Sequence, residues 1–131
     1  MPMPVSRNRL FTRFGTAILM GVLALAVPVG TADAGANNYD GFARCLSEKK
    51  AVMYGAFWCE NCKKQKDLFG GSFAYIPYQE CAVLGSPRQQ TEQCKYMQIR
   101  KYPTWVFGDN ERREGLQSLQ ILSEKTGCKL P

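Results

Sequence analysis

Cys59 and Cys62 stand three positions apart in Met53-Tyr54-Gly55-Ala56-Phe57-Trp58-Cys59-Glu60-Asn61-Cys62-Lys63. A short apolar run precedes them, and a polar, helix-prone segment reaching Phe69 follows. Two thiols at this spacing on the first turn of a helix can close a small disulfide ring and reopen it. The partial positive charge of a helix N-terminus favours a sulfur anion at Cys59, and the anion is the species that attacks disulfides. Cys59 is therefore the candidate nucleophile. Cys62, one turn into the helix, is the candidate resolving thiol, closing on Cys59 and releasing the substrate sulfur. A structural zinc knuckle or a static disulfide could use the same spacing, but a strand before the pair and a helix after it is the setting that redox chemistry needs.

The neighbours of the pair have candidate roles of their own. Trp58 is an apolar shoulder that either contacts substrate or covers the sheet edge. Glu60 places a carboxylate beside Cys59, opposing the thiolate, while Lys63 and Lys64 pull the other way. Tyr102-Pro103-Thr104 opens a later strand about forty residues beyond Cys62, and Tyr102 and Pro103 are candidates for holding an incoming chain.

Four more cysteines, Cys45, Cys81, Cys94 and Cys128, make an even count of six. In a small exported domain such a count reads as disulfides formed in an oxidising compartment. A Cys81–Cys94 bridge would close a short loop and add roughly 3 kcal/mol on the chain-entropy model. It would serve stability, or alternatively relay electrons to Cys59 and Cys62. Cys45 either pairs with Cys128, tying the first helix to the C-terminal tail, or stays a buried core thiol. The sequence contains no histidine, which excludes Ser-His and Cys-His catalysis and His-ligated metals. The cysteine spacing does not suit structural zinc. No metal and no cofactor are expected.

The elements that must position these residues follow from apolar spacing. Asp40 to Lys49 is an amphipathic helix, with Phe42, Cys45 and Leu46 on one face. Ala51 to Phe57 is a buried strand, and Cys59 to Phe69 a helix stopped by Gly70-Gly71. The aromatic run Phe73 to Glu80 reads as a second strand, put at an edge by Pro77. Ser86-Pro87-Arg88-Gln89 carries helix-start features and predicts a helix to about Gln98. Thr104 to Phe107 and Glu111 to Glu114 form a hairpin around Gly108-Asp109-Asn110. Ser118 to Thr126 is a last helix ended by Gly127. The order α-β-α-β-α-β-β-α predicts an α/β, thioredoxin-like fold lacking the usual first strand, with parallel strands except for the one hairpin. In that fold the first and last helices lie on opposite sheet faces, which makes a Cys45–Cys128 bridge awkward unless the tail wraps an edge. Such folds place a cis-proline opposite the C-x-x-C, a place Pro103 fits; the alternative is an ordinary trans proline opening the strand. The strand before Cys59 lacks the buried acid that relays protons to the resolving thiol in thioredoxins, so water or Glu60 would have to serve.

Residues 1–34 read as a signal peptide, the alternative being an uncleaved membrane anchor. Arg7, Arg9 and Arg13 form a basic start, Thr16 to Val29 an apolar stretch, and Ala32-Asp33-Ala34 a small-x-small cleavage site before Gly35. Cleavage there would leave residues 35–131 as one domain. It would remove three arginines and one aspartate, taking the net charge from +6 to +4. That surplus is spread among acids, as on a solvated surface, and predicts no nucleic-acid partner. The expected location is the periplasm or another exported space such as the thylakoid lumen, with no stable membrane insertion after cleavage.

Met53 to Cys62, then Gln65-Lys66-x-Leu68-Phe69-Gly70, then Tyr102-Pro103-Thr104-Trp105 together resemble the thioredoxin-like domain of the vitamin K epoxide reductase family. The Cys81/Cys94 pair is also similar to that family. The resemblance covers Asp40 to about Gly127. It implies a thiol–disulfide oxidoreductase, here free-standing, whose partners are a membrane quinone reductase of that family and cysteine-containing exported proteins. Many relatives carry histidine where this chain has Asn61, so Asn61, like Glu60, is a candidate tuning residue for the oxidising strength of the pair. A reductase or isomerase of the same fold, or a non-catalytic disulfide-stapled binding module, would share most of these features.

Overall fold

The computed structural model describes residues 38–131. The signal-peptide reading and its cleavage site fall on residues outside that range. The chain begins with α1 (Asp40–Glu48), followed by β1 (Val52–Gly55) and α2 (Glu60–Phe69). A 3₁₀ helix (Gly70–Tyr75) then leads into β2 (Tyr78–Glu80). Next come β3 (Ala82–Val83), β4 (Ser86–Gln90) and α3 (Glu92–Tyr96), then β5 (Thr104–Val106), β6 (Arg112–Glu114) and α4 (Leu119–Thr126).

The main sheet has the order β2-β1-β5-β6, and β3 with β4 forms a separate two-stranded ribbon. β1 and β2 are parallel, joined by α2 as a crossover helix. The fold is thioredoxin-like.

Strand alternation divides the interior. Met53 and Trp105 fall on one side of the sheet with Phe42 and Leu46 of α1, Cys62 and Phe69 of α2, and Leu122 of α4. Tyr54 and Val106 fall on the other, with Cys81, Cys94 and Ile99. α2 is held against β5 by a buried amide: Gln65 accepts from the Trp105 indole (3.2 Å) and the Gln117 backbone N–H (2.8 Å), and donates to the Gln117 carbonyl (2.9 Å).

Four expectations are corrected. Ser86 to Gln90 is a strand, not a helix start; the helix begins only at Glu92, after Thr91, and is five residues long. The first half of the aromatic run is a 3₁₀ helix, because Phe73 turns in to meet Phe69 and Tyr78 (ring centroids 6.1 and 6.0 Å). β5 runs antiparallel to β1. With only the short ribbon and α3 between β2 and β5, the chain never travels back along the sheet, so β5 starts at the end where β1 and β2 finish. Finally, α1 and α4 feed the same core through Phe42, Leu46 and Leu122 rather than opposite faces. That brings Cys128, just past the left-handed Gly127, to Cys45, and the two are bonded (S–S 2.06 Å, Cα–Cα 5.8 Å).

Candidate active site

β1 ends at Gly55, and the chain passes through Ala56, Phe57 and Trp58 to reach α2. Cys59 is the N-cap of that helix, and its sulfur accepts the Cys62 backbone N–H at 3.3 Å. A helix N-terminus stabilises negative charge on a capping atom, and an anionic sulfur accepts such a bond best. Cys59 is half-buried, whereas Cys62 is 1% exposed. These two are the unbridged cysteines. Burial, reinforced by a hydrogen bond to the Cys59 sulfur, pushes the Cys62 thiol up to about 12, with Lys66 and the Ala56 backbone acting in the opposite sense. One sulfur is thus accessible at a helix N-terminus, and the other is sheltered and held as a thiol.

Trp58 is 54% exposed beside the pair. Its indole N–H donates to the Pro87 carbonyl of β4 (3.1 Å), and its ring meets Tyr102 edge-on at 5.8 Å. The Tyr102–Pro103 peptide is cis, and Pro103 is buried at the start of β5. Gln90 donates to the Tyr102 hydroxyl (2.7 Å). Trp58, the residue before Cys59, lines a groove of about 560 Å³ together with Ala82, Pro87, Arg88, Gln90 and Tyr102. Sequence spacing alone does not place β4 there; the Trp58–Pro87 hydrogen bond does. Glu60 and Asn61 are exposed on the first turn of α2, and neither side chain bonds to a thiol.

Three residues beneath the pair carry no sequence motif. Gly55 faces Cys62 and Tyr78: a Cβ there would stand 3.0 Å from the Cys62 sulfur, 2.9 Å from Tyr78 Cε2 and 3.1 Å from the Tyr78 hydroxyl. Any larger residue would force the two side chains aside. Tyr78 donates to Glu80 Oε2 at 2.7 Å. Glu80 Oε1 accepts the Phe57 and Ala82 backbone N–H groups at 3.1 and 2.9 Å. Alternation on β2 puts Tyr78 and Glu80 on one side, a period-2 signal present in Tyr78-Gln79-Glu80. The register that sets them under Cys62 depends on which strand pairs with β1.

Cys81 and Cys94 are bonded (S–S 1.98 Å), both fully buried, and belong to the core on the opposite side of the sheet from Cys62. Among the described residues no cluster of three or more Cys, Asp or Glu side chains could hold a metal ion.

The chain is similar to a thiol–disulfide oxidoreductase. That relative, LTO1 of Arabidopsis thaliana, is 36% identical over 91 residues, which make up 67% of this chain and 24% of the relative. The chain therefore spans about a quarter of the length of the curated relative it matches. No protein-family model matches the chain.

Proposed function

We propose that this protein is an exported thiol–disulfide oxidoreductase working through Cys59 and Cys62, which passes oxidising equivalents from a membrane quinone reductase of the vitamin K epoxide reductase type to cysteines of exported proteins. The observation that carries the reading is the asymmetry of the pair: an accessible sulfur capping a helix beside a buried thiol. The printed name of the Arabidopsis relative supports the same chemistry.

In the oxidising direction a substrate thiolate attacks the Cys59 sulfur of the Cys59–Cys62 disulfide. A bond forms between substrate sulfur and Cys59, and Cys62 leaves as a thiolate that takes up a proton. A second substrate thiolate then attacks the substrate sulfur of that mixed disulfide. The substrate becomes a disulfide and Cys59 leaves reduced. The membrane partner removes two electrons and two protons from the dithiol to restore the bridge. Trp58, Tyr102 and the groove they line would receive the chain that flanks the substrate cysteine.

The reduction potential of the Cys59–Cys62 pair tests this. Equilibration against glutathione buffers should give a value of about −120 mV, typical of strong oxidants; one of about −270 mV would make the protein a reductase. Mild reduction followed by alkylation should label Cys59 first. No fast-reacting thiol would leave a stapled binding module.

A further inference from the structure

Resolution of a mixed disulfide on Cys59 requires the buried Cys62 thiol to lose its proton as it attacks. In the resting dithiol that proton is held by burial and by the neighbouring Cys59 sulfur. Once Cys59 is disulfide-bonded to a substrate, its sulfur is neutral and a poor acceptor, so the proton needs another destination. Glu60, the carboxylate nearest in sequence, is exposed and bonds to neither thiol.

We propose that Tyr78 and Glu80 form a proton relay for Cys62, given the oxidoreductase reading above. The Tyr78 hydroxyl and the Cys62 sulfur both lie within 3.1 Å of the single point where a Gly55 Cβ would stand. The hydroxyl already donates to Glu80 Oε2 at 2.7 Å, which leaves its oxygen lone pairs free to accept from Cys62. Glu80 is fixed by the Phe57 and Ala82 N–H groups, the first of them in the loop that carries the thiols. It is only partly buried, so it can exchange a proton with solvent.

The step balances. The Cys62 sulfur attacks the Cys59 sulfur; the new Cys59–Cys62 bond forms as the bond from Cys59 to the substrate sulfur breaks, and the substrate leaves as a thiolate. The Cys62 proton passes to the Tyr78 oxygen while the Tyr78 proton passes to Glu80, which ends protonated. One negative charge enters on Glu80 and one leaves on the substrate. In the oxidising direction the same path runs backwards and protonates the departing Cys62.

The surroundings suit this role. Burial and the bond to Glu80 raise the Tyr78 hydroxyl above its ordinary value, so it transmits a proton without resting as an anion. The charged and titratable groups facing Cys62 are Cys59 at the N-cap of α2, Lys66 on α2, and Tyr78 with its partner Glu80 on β2. Lys66 sits 3.8 Å above the Tyr78 ring, where it also favours negative charge along the path. The strands packed here from β1 and β5 contribute Met53, Gly55 and Trp105, none of which titrates.

The test uses the reduced, full-length chain and the aromatic disulfide 5,5′-dithiobis(2-nitrobenzoate), followed by stopped-flow absorbance. The first phase of thionitrobenzoate release reports attack by Cys59, and the second reports attack by Cys62 on the mixed disulfide. Tyr78→Phe keeps the ring packing, and Glu80→Gln keeps an acceptor for Phe57 and Ala82 while removing the base. In both, the first phase should match wild type. The second should slow by about a hundredfold at neutral pH, a typical contribution of general acid–base catalysis, and rise in proportion to hydroxide. A second-phase pH profile indistinguishable from wild type in both variants overturns the relay. Equal slowing of both phases also overturns it, since that is what mere loosening of the site would give. Absence of a first phase in the wild type would overturn the oxidoreductase reading, and the relay with it.

Discussion

Removing the Cys62 sulfur leaves Cys59 at the mouth of α2, able to attack a disulfide, with nothing beside it to release the adduct. Cys62→Ser is therefore expected to accumulate mixed disulfides on Cys59, visible as reducible bands on non-reducing gels, while Cys59→Ser gives none. Equal adducts in both variants would exchange the two roles or abolish them. The buried thiol also sets a pH dependence. Its folded value, pushed up to about 12 from an ordinary 9.0, favours the protonated form in the folded state. That stabilisation is fully present below pH 9 and is lost as the pH rises toward 12, where the unfolded chain sheds a proton that the folded one retains. The reduced protein should thus lose stability across that window, and the oxidised protein, in which Cys62 does not titrate, should lose less. Urea midpoints of both forms on either side of pH 9 check the sign. A gap that stays constant would mean the folded environment does not disfavour the Cys62 anion. The two thiols were legible in the sequence because spacing and local helix chemistry define them. Gly55, Tyr78 and Glu80 were not, because their meaning comes from the pairing of β1 with β2, which no local pattern specifies.

The elements that hold the site match the sequence pattern where periodicity and end signals agree. α2 is bounded by Cys59 and Gly70, α4 by Ser118, whose side chain caps Ile121 N–H, and Gly127. Agreement failed at Ser86-Pro87-Arg88-Gln89, where a cap residue followed by proline suits a helix start by its local chemistry. The Cys81–Cys94 bridge instead folds the segment back on Ala82, with β3 and β4 in register at Ala82 and Gln90. Pro87 is tolerated because β4 pairs on one side only. Gln65 was equally hard to read: a glutamine in a polar helix looks solvent-facing, yet it is 0% exposed. Its amide satisfies the Trp105 indole and both backbone groups of Gln117, joining α2 to β5 and to the approach to α4. Gln65→Leu would leave those groups buried without partners, at about 1–3 kcal/mol each. The expected loss is therefore more than about 3 kcal/mol in urea unfolding, whereas the exposed Gln120→Ala should stay within about 0.5 kcal/mol of wild type. A small loss at Gln65 would mean that the region repacks or admits water.

Two bridges staple the molecule on its two sides. Cys45–Cys128 spans 83 positions and joins α1 to the tail after α4, next to the core that buries Cys62. Cys81–Cys94 spans 13 and closes the β3–β4 ribbon onto α3 on the far side of the sheet. The expected fold sets α1 and α4 against opposite faces and so leaves the first pairing open in the sequence, and the shared core of Phe42, Leu46 and Leu122 removes that obstacle. Loop closure in the unfolded chain predicts unequal effects: about 4.5 kcal/mol for the long loop and about 3 kcal/mol for the short one. Replacing Cys45 and Cys128 together by Ala should thus lower the urea midpoint more than replacing Cys81 and Cys94. Cys81 and Cys94 are fully buried and lie across the sheet from Cys62, so no thiolate of the active pair can reach their bridge without opening the fold. A Cys81→Ala, Cys94→Ala double variant should keep the rate of Cys59 attack per folded molecule while melting earlier. Near-normal melting combined with collapse of turnover by a membrane quinone reductase would make that bridge an electron relay instead. Thermal unfolding and a coupled quinone assay on one preparation separate the two, and burial of both sulfurs on the far side of the sheet favours the structural role.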